Sequence, residues 1–197
     1  MHRRIATVAV IAGAGALVLL APAAAYAATP QVTDQQDDAY EDSPGLPNPL
    51  FSDPALDITA IEWAKSGRDN FTVTMTIKGT PKTGVNYYPS AEVGDAHEVY
   101  WILNVGSTAF YNVFALDPAT GKQTGQVSTT YGSAVQVSGN TVSATFSAKR
   151  NRLPATLRDN PVLGPFGGLT CVAPENCNGG RTYDIARSPA DTRFSLA

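Results

Sequence analysis

Hydrophobic and polar residues alternate without a fault along Phe71-Thr72-Val73-Thr74-Met75-Thr76-Ile77-Lys78. Phe71, Val73, Met75 and Ile77 share one face, and the threonines and the lysine share the other. That is the period-two pattern of a strand with one wet face. Ser66-Gly67-Arg68-Asp69-Asn70 ahead of it is turn chemistry, so residues 58–63 are predicted to pair with it as a hairpin. Residues 99–105, Val-Tyr-Trp-Ile-Leu-Asn-Val, are apolar on both faces and predict a central strand covered on both sides. Gly106-Ser107-Thr108 leads into another strand over 109–116, closed by the turn at 117–122. Gly139-Asn140, between 134–138 and 141–147, signals a two-residue hairpin. The last strands are predicted over 181–186 and 192–196. Residues 154–170, with Asn160-Pro161, Gly164-Pro165 and Gly167-Gly168, read as a long irregular loop. No segment beyond residue 27 keeps a helical period over a dozen residues. About eight or nine short strands with such turns predict an all-β fold, an antiparallel β-sandwich with jelly-roll-like or Greek-key connections.

The pattern also divides the chain. His2-Arg3-Arg4, an apolar run over 5–20 and Ala25-Tyr26-Ala27 together read as a signal peptide, residues 1–27, cleaved after Ala27. The expectation is a secreted, extracellular protein with no membrane segment after cleavage. Residues 28–50 hold an acidic run, Thr33 onward, and then Ser43-Pro44-Gly45-Leu46-Pro47-Asn48-Pro49. Such a stretch is too poor in large aliphatics to offset its ordering entropy and reads as a disordered acidic, proline-rich arm. The remaining 51–197 is the size of one sandwich domain.

Charge narrows the partners. The chain carries 14 Lys+Arg against 17 Asp+Glu, a net charge of −3, and losing Arg3 and Arg4 with the signal makes it more acidic. This argues against nucleic acid and against anionic membranes as partners. The basic stretch Lys149-Arg150-Asn151-Arg152 reads as a solvated loop. Cys171 and Cys177 are the only 2 cysteines, and their short spacing in an oxidising compartment predicts a disulfide closing a small loop.

The residue inventory limits the chemistry. Beyond residue 27 there is one histidine, His97, and one methionine, Met75. Zinc sites built on several histidines are impossible within one chain. There is no Gly-x-Ser-x-Gly elbow, no phosphate loop and no dinucleotide fingerprint. No catalytic motif is present, and an enzyme is not the expectation. Met75 and His97 are the one pair that could ligate a b-type haem, although Met75 shares the face of Phe71, Val73 and Ile77, as a core methionine would.

Asp53-Pro-Ala-Leu-Asp57-Ile-Thr, a turn, and then Phe71-Thr-Val-Thr-Met-Thr-Ile resemble the opening of a secreted β-sandwich class common in actinobacteria. Val137-Ser-Gly-Asn-Thr-Val-Ser-Ala-Thr-Phe-Ser-Ala-Lys-Arg-Asn-Arg-Leu-Pro resembles a later piece of it. The class is similar to DOMON-like and family-nine carbohydrate-binding sandwiches; Leu56 stands where the class has glycine. The resemblance implies a binding or accessory module, often calcium-stabilised and sometimes sugar-binding. It suggests that Asp53 and Asp57, with Glu62, hold a Ca²⁺, against the plainer reading that both aspartates cap turns. A sugar ligand needs flat rings to stack on, and the candidates are Tyr87 and Tyr88 in a polar loop over 84–96, with Tyr131; Trp63 and Trp101 read as core. The expected function is non-catalytic recognition of an extracellular or cell-envelope polysaccharide by a monomeric module. The alternatives are a partner or inhibitor of an extracellular protein presenting the Cys171–Cys177 loop, and a small haem-binding sandwich.

Overall fold

The computed structural model describes residues 30–34, 41–43, 46–48, 53–172 and 184–197. The expected signal peptide, most of the expected arm, and Cys177 lie outside these residues. In chain order the first strands are β1 (Val32–Thr33), β2 (Glu41–Ser43), β3 (Leu46–Asn48), β4 (Ile58–Lys65), β5 (Asn70–Ile77), β6 (Val85–Val93) and β7 (His97–Ile102). They continue with β8 (Thr108–Leu116), β9 (Gln123–Ala134), β10 (Gln136–Ser138) and β11 (Thr141–Ser147). A short helix, α1 (Ala155–Asp159), precedes β12 (Val162–Val172), β13 (Asp184–Arg187) and β14 (Phe194–Ser195).

These strands form an all-β antiparallel sandwich. One sheet is five-stranded, in the order β1-β4-β5-β11-β10. The other is seven-stranded, in the order β13-β12-β6-β7-β8-β9, with β14 also pairing β12. β2 and β3 form a separate hairpin. The chain crosses between sheets from β5 to β6, from β9 to β10 and from β11 to β12. The last crossing lays β12 beside β6, the return that closes a Greek key around the β6-β7-β8-β9 meander.

The alternation read from residues 71–78 is what builds the core. Phe71, Val73, Met75 and Ile77 are fully buried, and β11 sits opposite them in register, Phe146 against Phe71 and Val142 against Met75. From the other sheet, Trp101 meets Trp63 edge-on with ring centroids 5.4 Å apart. Phe166 closes on Trp63 at 4.5 Å. Each such side chain contributes on the order of 1.5–3 kcal/mol by leaving water, and well-placed ring pairs add about 0.5–1.5 kcal/mol. Trp63 and Trp101 are thus core residues, as their strand positions imply.

Three expectations are corrected. Residues 154–170 are not an irregular loop: after α1 the chain forms β12, eleven residues long, between β6 and β13. Residues 84–96 are not a polar loop, because most of them form β6. The arm is not structureless throughout. Val32 is wholly buried and pairs with Ile61 on the edge of β4. The side-chain amide of Gln31 donates to the Trp63 carbonyl at 3.2 Å and its oxygen accepts the Trp63 N–H at 2.7 Å. The open edge of β4 offers unpaired backbone groups, and that is what recruits the segment.

Candidate functional site

Antiparallel pairing sets opposite residues on the same face, so the sheet registers give the outer surface of the seven-stranded sheet. One row is continuous across six strands: Arg187 opposite Gly167, Gly167 opposite Ser90, Ser90 opposite Tyr100, Tyr100 opposite Asn112, and Asn112 opposite Thr129. Every member except the glycine carries a hydrogen-bonding side chain. Toward one strand end lies a parallel row with Glu92 opposite Glu98 and Glu98 opposite Phe114. On the other side lie Ile185 opposite Leu169, Leu169 opposite Tyr88, and Phe110 opposite Tyr131. A polar stripe therefore runs between an acidic edge and an aliphatic–aromatic edge.

Where the stripe meets β12 and β13 the surface sinks into a cleft of about 390 Å³. Glu92, Glu98 and Tyr100 form one wall, Arg187 and Ser188 the other, and the bare backbone of Gly167 and Gly168 lies at its base. A Cβ on Gly168 would lie 2.3 Å from the Ile61 side chain, so the close approach of the two sheets requires glycine there. The cleft exists because β12 bulges. Leu163 pairs with Val93 but Phe166 pairs with Ala91, leaving one extra residue on β12. Gly164, in the bulge, has φ +116°.

The electrostatics inside the cleft are coupled. The Tyr100 hydroxyl bonds to the Glu98 carboxylate, and the Gln123 amide donates to Glu98 Oε2 at 3.3 Å. Burial pushes the Glu98 carboxyl above the usual carboxylate range and the nearby Glu92 adds to this; the bonds from Tyr100 and Gln123 and the charge of Arg187 oppose it. Burial, and then the charge of Glu98, push the Tyr100 phenol far above its ordinary value. On the β8 side Tyr100 packs edge-on against Phe114, with ring centroids 6.0 Å apart. Tyr100 and Glu98 are thus held in fixed positions, while Glu92 and Arg187 are exposed.

The residues expected from sequence fall elsewhere or apart. Tyr87 is wholly buried; its hydroxyl donates to the Ala55 carbonyl at 3.2 Å and accepts the Lys82 N–H at 3.2 Å. It cannot stack on a ligand. Tyr88, the next residue of β6, faces outward beside Leu169 and is half-buried. Tyr131 is 72% exposed and packs its ring on Phe110 at 6.0 Å. Both belong to the outer face, Tyr88 beside the cleft and Tyr131 away from it on the edge strand β9.

The expected calcium ligands do not converge. The Asp53 carboxylate accepts the Ala55 N–H at 3.0 Å and pairs with the Lys82 ammonium. Burial pushes its carboxyl up, but these contacts outweigh burial and hold it below the usual range. Asp57 is wholly buried at the head of β4. Glu62 lies opposite Thr74 within the five-stranded sheet, its carboxyl raised by burial. Among the described residues no group of three or more His, Cys, Asp or Glu side chains could hold a metal ion. The aspartates are corner residues. The Asp53 side chain closes the turn in which the Leu56 N–H reaches the Asp53 carbonyl at 2.8 Å.

Met75 is sealed in the core, and His97 begins β7 opposite Val93 and Ala115. Cys171 is wholly buried near the end of β12, and no described cysteine is free.

The residues of the cleft that the sequence did not bring forward are Ser90, Glu92, Glu98, Tyr100 and Arg187. The signal for the first two was present: Val85, Tyr87, Ala91 and Val93 share one face, and Asn86, Tyr88, Ser90 and Glu92 the other. Pro89 interrupts that reading, because proline is expected only at strand edges; it lies just outside the β6–β7 ladder, which begins at Ser90.

Fold and site together define an antiparallel β-sandwich with a polar, ring-flanked cleft on the outside of its larger sheet. No family model, no curated protein and no solved structure matches the chain.

Proposed function

We propose that this chain is a secreted, non-catalytic recognition module that binds an extracellular or cell-envelope polysaccharide on the outer face of the seven-stranded sheet, centred on the cleft. The observation that supports this reading is the row Arg187–Gly167–Ser90–Tyr100–Asn112–Thr129. Sugars present ring hydroxyls at their edges and apolar C–H patches on their faces. A stripe of donors and acceptors flanked by Tyr88, Leu169 and Ile185 offers partners for both. Charged groups such as Arg187 and Glu92 make the stronger hydrogen bonds to hydroxyls. The resemblance to carbohydrate-binding sandwiches points the same way, with the binding residues moved from Tyr87 to the cleft. A bridge from Cys171 to Cys177 accompanies this reading and fits the absence of a free thiol among the described residues.

The test is retention of the full mature chain on insoluble polysaccharides and purified cell walls. Arg187→Ala and Tyr100→Phe are expected to weaken retention, Arg187→Ala by roughly tenfold, the loss of one charge-assisted hydrogen bond. Tyr87→Phe is expected to leave retention intact while lowering stability by about 1–2 kcal/mol in urea, since it strips a buried hydrogen bond. Failure to bind any matrix sinks the polysaccharide reading.

A further inference from the structure

A second hollow, of about 400 Å³, adjoins the cleft. It is lined by Gly94, Asp95, Asp159, Asn160 and Arg193, and it shares Glu92 and Pro165 with the first. The two hollows follow one strand. Ser90 lies in the first, Glu92 in both, and Gly94 in the second. Ser90 to Val93, the end of β6, covers about 10 Å at ~3.3 Å per residue, and Gly94 lies in the turn beyond it, so the two hollows together extend past one sugar ring. The β12 bulge supplies the opposite wall of both hollows at Pro165.

Carboxylates outnumber guanidiniums along this line. Glu92, Glu98, Asp95 and Asp159 face Arg187 and Arg193. Arg193 donates to the carbonyls of Ala190 and Thr192 at 2.7 and 2.8 Å, and Asp159 has Arg158 beside it at 3.7 Å. Such a surface repels acidic polymers and tolerates neutral ones.

Resting on the polysaccharide reading, we infer that the two hollows are successive subsites of a single groove along β6 that takes the interior of an extended, uncharged glycan chain and rejects acidic glycans. A chain lying in the groove places one sugar against Ser90, Tyr100 and Arg187 and its neighbour against Asn160 and Asp95, with Glu92 between them. Affinity then grows with chain length until both hollows are filled.

The experiment is calorimetry on the full mature chain with glucose and cello-oligosaccharides and with N-acetylglucosamine and its oligomers, from monosaccharide to tetrasaccharide, and with galacturonate and oligogalacturonates as acidic counterparts. In the neutral series that binds, the expected result is about a tenfold rise in affinity between monosaccharide and disaccharide, then a plateau by the trisaccharide. Oligogalacturonates are expected to bind at least tenfold more weakly at low salt, with the gap closing as salt screens the carboxylates. An Asp95→Asn/Asn160→Ala double variant, both positions being exposed, should lower disaccharide affinity to that of the monosaccharide and so abolish the length gain. Arg187→Ala should weaken every length alike. Length-independent binding, or equal binding of the acidic oligomers, overturns the groove and leaves the recognition reading standing. No binding to any oligomer, together with no retention on any polysaccharide, overturns both.

Discussion

Glu98 and Tyr87 are each one position away from residues with the opposite role. In β6 and β7 successive side chains point to opposite faces, so Tyr87 enters the core while Tyr88 faces outward, and Glu98 reaches the cleft while Val99 is wholly buried. Adjacent tyrosines in a stretch read as a loop carry no phase, and the phase is what separates an anchor from a platform. Glu98 gives the sharper prediction. Burial raises its carboxyl above the ordinary range, so the folded protein holds the proton more tightly than the unfolded chain does. The stability tied to that proton is fully present below the unfolded carboxylate pKa and is lost as pH rises through the raised folded value. Glu98→Gln keeps the neutral form at every pH. Its stability relative to the natural chain should therefore climb as pH rises from the ordinary glutamate range of about 4 upward. Urea melts at intervals across that rise check it; a gap that is flat, or that widens toward acid, is the wrong sign and would remove Glu98 as the buried titrating group of the cleft.

At the scale of elements, the strands that were legible are those whose alternation is unbroken. β5, β11 and the hairpin turn at Gly139-Asn140 follow the period-two rule and pair in uniform register. β12 and β9 were not legible, for different reasons. β12 carries glycine or proline at positions 164, 165, 167 and 168, residues that are depleted in strands. They are there because the strand bulges, lies close against the opposite sheet, and floors the cleft with backbone. β9 has few large hydrophobics and shifts register against β8 three times, at Thr108/Phe110, Val113/Phe114 and Ala115/Leu116. In each shift the extra residue is on β9, so the period slips before a pattern can build. Most of the candidate site went unread with β6 and β12, since Ser90, Glu92 and Gly167 take their meaning from registers that no local pattern reveals. The bulge can be tested directly. A side chain on Gly164 would adopt a conformation costing about 1–3 kcal/mol, and its Cβ would lie 2.2 Å from the Thr192 carbonyl oxygen. Gly164→Ala is expected to destabilise by roughly 3 kcal/mol or more in urea, and to weaken glycan retention at temperatures where the variant is still folded. Unchanged stability would show that the bulge is not a rigid wall.

For the molecule as a whole, the two sheets have open edges, and each is managed differently. The strand β9 is twelve residues long with no charged residue and no proline; its last residues lie against β11, where the Ser133 hydroxyl accepts the Thr145 N–H at 3.0 Å, and the rest forms an edge whose composition invites pairing with another chain. Its three bulges break the ladder that a newcomer would need, and bulges are one of the ways natural sheets blunt an edge. The edge at β4 has no such irregularity toward β1. It is covered by the segment around Val32: the Asp34 N–H reaches the Thr59 carbonyl at 3.1 Å, Thr33 pairs with Ala60 and Val32 with Ile61, and Gln31 occupies both backbone groups of Trp63. The domain is therefore larger than its alternating region suggests, and a chain cut to begin at Asp53 would bare the backbone of Thr59 to Trp63. Compared with a chain beginning at Ala28, that truncation is expected to lose about 1–2 kcal/mol of stability and to self-associate through β4 as concentration rises. Hydrogen exchange supplies the local readout: the Trp63 amide should be protected in the longer chain and exchange freely in the shorter one, with Gln31→Ala in between. Sedimentation velocity supplies the global one. If the truncated chain stays monomeric, equally stable and equally protected at Trp63, then β4 needs no cover and the docking of Val32 contributes nothing to the sandwich.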